Sequence, residues 1–433
     1  MILFRAVRQE LKGDAIYKEF GIRATPTVMM LAPDGSEVDW TVGYEPPPEK
    51  FQEKIERMVA GVDTFKSLSA AYAKNPKDVA VVFKLARKYS DRYDEAKAAE
   101  KYKEVIALDP QGKAGTYTHE YYKITVPYAE YAEYSLADMS LDSQKPDVGP
   151  MTAFLKKHPD SKMLKQTYAS LAGYYRSRGS KEEAARFFAE FAAKFPNDTD
   201  AYRAWLARIV RDQDPLAMGF EIADKLDALR RNSPDNPDPA LNQTMAQLYL
   251  LKNDKAKAEE VYGKNFISGE VSNTAFSLIN YANFWVQQNA NLDSAVEMAE
   301  TAVKLQPDSS FILQQAAGVY LTTGKEEKAL VLYGPAYAKK NSSDASALYS
   351  YARFWAAQGK NLADALAASK RTTELFPATY DMWSTLADIH QKMKNYPEAI
   401  KAAEKAAELA EGPAKEAMQK KVDQLKTEAQ GKK

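Results

Sequence analysis

Residues 281–307 read YANFWVQQNANLDSAVEMAETAVKLQP, and seventy positions later residues 351–377 read YARFWAAQGKNLADALAASKRTTELFP. Tyr281-Ala282, Phe284-Trp285, Gln288, Asn291-Leu292, Ala295, Leu305 and Pro307 are matched by Tyr351-Ala352, Phe354-Trp355, Gln358, Asn361-Leu362, Ala365, Leu375 and Pro377. Between the copies, Ala317, Tyr320, Gly324, Ala329, Tyr333 and Ala336 repeat the order of small, aromatic and turn residues, so the seventy-residue period is two units of thirty-five. Fixed periods of this length mark stacked repeats. Within each unit, apolar residues fall three or four apart over two spans of about 14 residues split by a polar turn, which predicts a helical hairpin.

The small positions Ala282, Ala317 and Ala352 allow one helix backbone to approach the next, while Trp285, Tyr320 and Trp355 fill the space beside them. This order resembles the tetratricopeptide repeat (TPR). The last unit carries the family's positions as Trp383, Leu386, Ala387, His390, Ala399, Ala403 and Ala406. All of these are packing positions to which no chemistry is assigned.

The beginning differs. Thr27 to Leu31 is a short apolar run, Ala32-Pro33-Asp34-Gly35 is a turn signal, and Glu37 to Val42 alternates, so a β-hairpin is expected there. Pro47 then opens a helix with Phe51, Ile55 and Met58 on one face. Together with Tyr17, Phe20-Gly21-Ile22 and Ala24-Thr25-Pro26-Thr27, this segment resembles the second half of a thioredoxin-like domain, spanning about Ile2 to Val62. The resemblance implies a cis proline at Pro26 and a turn glycine at Gly43. It also implies a first strand and a Cys-x-x-Cys helix that would precede Ile2. Thiol-disulfide exchange needs a low-pKa thiolate, and the 433 residues contain no cysteine.

From Asp63 onward the chain reads as helical. Phe65 to Lys74 is a helix, and Val82, Leu85, Ala86, Tyr89, Ala98, Tyr102, Val105 and Pro110 form the first recognisable repeat. The period breaks over 112–160, where a tyrosine-rich stretch predicts an irregular, longer helix pair. It returns with Leu171, Ala172, Tyr175, Gly179, Ala184, Phe188, Phe191 and Pro196. Residues 233–239 read as a linker or jog, 240–411 as a second, regular run, and 412–433 as a polar capping helix and tail. The expected architecture is mainly α. It is a right-handed α-solenoid of about nine TPR-like helix pairs over 63–232 and 240–411, preceded by a partial thioredoxin-like α/β domain at 1–62.

Lys plus Arg equals Asp plus Glu at 59 each, so no net field favours nucleic acid. No apolar run approaches the length of a membrane span, and the first 30 residues lack a secretory signal order. A soluble chain is expected, in the cytoplasm by default or in the periplasm if a signal peptide precedes it. His119, His158 and His390 are far apart, and no phosphate loop, zinc motif or nucleophile elbow occurs, so no cofactor, metal or small-molecule substrate is indicated.

Solenoids act through the concave surface that stacking creates. In TPR proteins the first helix of each hairpin lines it, and that register falls here on Gln243, Gln247, Asn283, Gln287, Gln314, Tyr349, Arg353, Asp388 and Gln391. Side-chain amides donate and accept, so such a row suits the backbone of an extended peptide; the same residues also suit plain solvated helix positions. The basic clamp with which some family members hold an acidic C-terminal peptide is not visible. The function expected is a non-catalytic scaffold or adaptor for proteins or peptides. Two alternatives accompany it: a thiol-disulfide oxidoreductase whose catalytic segment is missing from this chain, and a holdase, since bacterial proteins joining the two domain types include redox-inert binders of unfolding clients.

Overall fold

In the computed structural model, which describes residues 13–43, 47–142, 145–231, 238–267 and 274–431, the repeat period is visible in the backbone itself. Asn289, Gly324, Gly359 and Lys394, thirty-five positions apart, each take positive φ between the two helices of a hairpin. Asn291 and Asn361, seventy apart, take a second left-handed conformation at a helix start. Two units are formed, Met1–Ser233 and Pro234–Lys433. The expected linker lies almost wholly outside the described residues, as does the start of the expected thioredoxin-like segment, 2–12.

The first unit begins with α1 (Gly13–Glu19), β1 (Thr27–Leu31), β2 (Glu37–Val42), α2 (Pro48–Val59) and α3 (Phe65–Lys74). Strand, turn, strand and helix occur where the sequence places them, and the Thr25–Pro26 peptide is cis. Among the described residues β1 pairs only with β2, antiparallel, from Thr27 opposite Val42 to Leu31 opposite Glu37. The wider sheet of a thioredoxin-like domain is therefore not seen.

A buried ionic knot instead ties this hairpin to the helices. Asp39 on β2, about 1% exposed, accepts from Arg92 Nη2 at 2.9 Å and from Lys88 Nζ, while Glu37 accepts from Arg92 Nη1 at 2.6 Å. The guanidinium of Arg92 lies 4.0 Å from the ring of Phe65 and 5.1 Å from that of Trp40. Lys88 is at the end of α4 (Val79–Asp91), which pairs with α5 (Glu95–Leu108).

The helices expected throughout 112–160 are interrupted. Residues 116–127 form a second hairpin, β3 (Thr116–Thr118) with β4 (Thr125–Pro127). Its strands are rich in β-branched residues, with Tyr117 turned inward between exposed Thr116 and Thr118. The Tyr117 ring packs 5.2 Å from Phe83 and 4.7 Å from Tyr131, and Phe83 also stacks on Tyr128 at 4.5 Å. Tertiary packing of one aromatic thus overrides the helical reading of its neighbours. Helices resume as α6 (Tyr128–Asp142), α7 (Gly149–Lys157), α8 (Leu164–Ser177), α9 (Lys181–Lys194), α10 (Thr199–Asp212) and α11 (Leu216–Arg231).

The second unit holds α12 (Pro239–Leu251), α13 (Lys255–Tyr262), α14 (Lys264–Ile267), α15 (Ala275–Gln287), α16 (Leu292–Leu305), α17 (Ser310–Thr322), α18 (Glu326–Tyr333), α19 (Pro335–Lys340), α20 (Ala345–Gln358), α21 (Leu362–Leu375), α22 (Tyr380–Lys392), α23 (Tyr396–Leu409) and α24 (Gly412–Gln430). Asp, Ser or Thr side chains cap α12, α15, α17 and α20 by accepting from backbone N–H groups of the first turn. Over both units the described helices make nine hairpins. Ala246, Ala282, Ala317, Ala352 and Ala387 are fully buried, as the small positions require.

Two second helices in this unit are broken, and the breaks explain the seventy-residue period. At Gly263 and Gly334 a Cβ would lie 2.0 Å from the carbonyl oxygens of Glu259 and Leu330 respectively, so only glycine fits. At each break the carbonyl just before the glycine, that of Tyr262 or Tyr333, accepts from an indole of the next hairpin. The indole N–H of Trp285 donates to the first at 3.1 Å and that of Trp355 to the second at 2.7 Å. In the same two copies Asn291 Nδ2 donates to the Tyr281 hydroxyl at 3.0 Å and Asn361 Nδ2 to the Tyr351 hydroxyl at 2.8 Å.

Trp355→Ala opens a cavity and orphans a carbonyl, costing about 3–5 kcal/mol, and Gly334→Ala costs about 1–3 kcal/mol by overpacking; urea unfolding of each variant measures both. In the first unit Asp39→Ala leaves Arg92 and Lys88 facing an emptied site and costs about 3–5 kcal/mol, whereas Arg57→Ala, breaking the exposed pair to Asp63, costs about 0–1 kcal/mol. Hydrogen exchange across residues 27–42 reports the difference locally.

Candidate functional site

The expected face belongs to the first helices of the second unit. On α15, Phe276, Asn283 and Gln287 stand seven and four residues apart, which brings all three onto one line along the helix. Next to it, α17 presents Phe311 and Gln315 four apart on one face. The rings of Phe276 and Phe311 stack with centroids 5.5 Å apart and planes at 26°, although each is nearly half exposed. Further along, Asn283 Nδ2 donates to Gln315 Oε1 at 2.8 Å. An aromatic rung and an amide rung thus join neighbouring first helices on one surface.

The other expected residues are spread over the same helices and do not gather at a point. Gln243 and Gln247 lie one turn apart on α12 and Gln314 lies on α17, all half-buried. On α20 the exposed Arg353 guanidinium sits 5.3 Å from the centroid of Tyr349, its partner one turn back. Asp388 pairs with Lys421, and Gln391 Nε2 donates to Glu428 Oε2 at 3.0 Å. These last contacts come from α24, which packs on α23 and whose Val422 and Leu425 are buried. Asp388 meets its neighbour 33 positions on, much as Asn283 meets Gln315 32 positions on. The terminal helix therefore stands where the first helix of a further hairpin would, and it extends the row. Ala417 on the same helix is exposed.

Pro26 lies in the first unit, exposed, its carbonyl accepting from the Gly43 amide at 2.8 Å. Sequence reading missed Phe276, Phe311 and Gln315. The phenylalanines recur at the repeat spacing, but an aromatic at that spacing reads as core until its exposure is known. No helix among the described residues is long and apolar enough to cross a membrane.

No protein-family model matches the chain. No curated protein matches it either. Among solved structures it is similar to a tetratricopeptide repeat protein from Parabacteroides merdae (12% identity, 68% of this chain and 98% of that chain, TM-score 0.35). It is also similar to yeast Tom70 (14%, 88% and 95%, TM-score 0.28) and to YrrB, a TPR protein with an unusual peptide-binding site (16%, 54% and 97%, TM-score 0.25). At these scores the likeness establishes neither a shared ligand nor a shared mode of binding.

His390 occupies the slot that Trp285, Tyr320 and Trp355 fill in the preceding units, and it is buried. Burial holds its pKa below the usual histidine value, and Lys370 on α21 acts in the same direction, while Glu398 on α23 opposes both. A base whose pKa is lower folded than unfolded contributes stability that is complete above the unfolded value and is lost as pH falls from about 6.5 toward the folded value. His390→Phe is accordingly expected to reduce the loss of stability between pH 7 and pH 5. Denaturation midpoints of the two proteins at each pH measure it.

Proposed function

We propose that the chain is a non-catalytic, TPR-type scaffold that binds other proteins or peptides across the first helices of its second unit. The observation that carries this reading is the paired row on α15 and α17. Asn283 and Gln315 spend one hydrogen bond on each other and keep further donor and acceptor capacity on an accessible face. Gln287 and Arg353 extend that face exposed. Stability of the hairpins does not need these side chains, because the core beneath them is made by Ala282, Trp285, Ala317, Ala352 and Trp355. We also read residues 1–62 as the second half of a thioredoxin-like domain in a non-redox role. The order of β1, turn, β2 and α2 supports that reading.

Replacing Asn283, Gln314, Tyr349 and Arg353 together with alanine is expected to weaken partner capture by about tenfold or more. The melting temperature should stay near that of the parent, since substitutions at accessible helix positions shift stability by about ±0.5 kcal/mol each. Quantitative pull-down from cell lysate with both proteins, checked by thermal melts, measures the two effects. Equal recovery with unchanged melting removes the face from the function.

A further inference from the structure

Charge is distributed unevenly between the helices of the second unit. The first helices α12, α15 and α17, of 13 residues each, contain no Asp, Glu, Lys or Arg, and α20 contains only Arg353. At the chain's 27% charged share, three such helices would carry about ten charges, close to the ordinary rate for soluble domains. The second helices are charged normally: α16 carries Asp293, Glu297, Glu300 and Lys304, and α23 carries Glu398, Lys401, Glu404, Lys405 and Glu408. First helices in the other unit are charged too, as Lys84, Arg87, Lys88 and Asp91 on α4 show.

Burial does not account for this. Phe276, Phe311 and Gln287 are exposed on these helices, and Asn283, Gln314 and Gln315 are only half-buried. Solubility alone would favour Lys and Glu at such positions. The face instead presents amides and an accessible pair of stacked phenylalanines.

We propose that the face formed by α15 and α17 recognises an extended, uncharged polypeptide segment carrying one aromatic or branched aliphatic side chain. This rests on the scaffold reading above and specifies its ligand. The amides meet the backbone of the segment, whose N–H and C=O groups are neutral donors and acceptors. The Phe276–Phe311 stack takes the apolar side chain. A charged residue in the segment is rejected, because it would lose water and find no counter-ion among the three helices.

The test is selection of a random ten-residue peptide library, displayed on phage, against the full chain. A parallel selection uses F276S/F311S, and a third uses N283A/Q314A. Enriched peptides are expected to be depleted in Asp, Glu, Lys and Arg and to carry a Phe, Tyr, Leu or Ile. Their affinity as synthetic peptides with blocked termini should fall about tenfold or more in F276S/F311S and change less than about twofold between 50 and 500 mM salt. Enriched peptides that are charged but still depend on Asn283 and Gln314 would overturn the ligand class and keep the scaffold reading. Enrichment that neither variant alters, or no enrichment, would overturn both. Sedimentation of the free chain adds one more outcome: a dimer that F276S/F311S dissolves assigns the face to a second copy and overturns the proposal. Unchanged far-ultraviolet circular dichroism and melting confirm that each variant is folded.

Discussion

The regular part of this protein depends on an indole reaching into a broken helix. An α-helix that ends inside a stack leaves carbonyls that must find donors or pay a desolvation cost. At Tyr262 and Tyr333 the chain breaks its second helix with a glycine, and the tryptophan of the next hairpin supplies the donor. One side chain therefore fills the gap between hairpins and satisfies the polar group that the break creates. Its partner in the sequence, the asparagine ten residues after Tyr281 or Tyr351, holds the tyrosine hydroxyl in the same layer. The hairpins that follow an unbroken second helix, α16 or α21, use Tyr320 and His390 at that slot instead. The module is consequently a pair of unlike hairpins, and the period is seventy rather than thirty-five.

How much of this was legible depends on whether a residue's partner lies at a fixed spacing. Ala282, Trp285, Ala352 and Trp355 could be placed in the core because the same pattern recurs, and a repeated register repeats its contacts. Gly263 and Gly334 follow the tyrosines that the repeat marks, yet a lone glycine after a helical run reads as a cap, and its carbonyl clash exists only in three dimensions. The β3–β4 hairpin was misread because Tyr117 belongs to no repeat. Its partners Phe83 and Tyr131 come from two different hairpins, and no local pattern encodes such a meeting. The ionic knot at Asp39 was illegible for the same reason, since Arg92 lies 53 positions away.

The candidate face shows the opposite case. Its helices and register were legible from the period, but its chemistry was only partly so. Gln287, Asn283 and Arg353 emerge on accessible positions, whereas Asp388 and Gln391 are engaged by α24. That helix meets them with Lys421 and Glu428, charged residues of a kind that α12, α15 and α17 lack. In this unit charge is thus absent from α12, α15 and α17, sparse on α20, and present on α22, α24 and the second helices.

Core and face are set by neighbouring positions on the same helix, which ties recognition to packing. Ala282 is buried and Asn283 beside it is not; Ala352 is buried and Arg353 is exposed. The close approach that the alanines permit sets adjacent helices about 8–10 Å apart, while an extended polypeptide advances about 3.3 Å per residue. A segment crossing the row therefore meets a new helix at roughly every third residue. In the binding role proposed above, amides repeated at that interval would meet backbone groups whatever side chains lie between, so such a surface would discriminate by the charge and the single apolar anchor of its ligand, not by an ordered sequence. The selectivity proposed for the face would then follow from the spacing that the buried alanines impose.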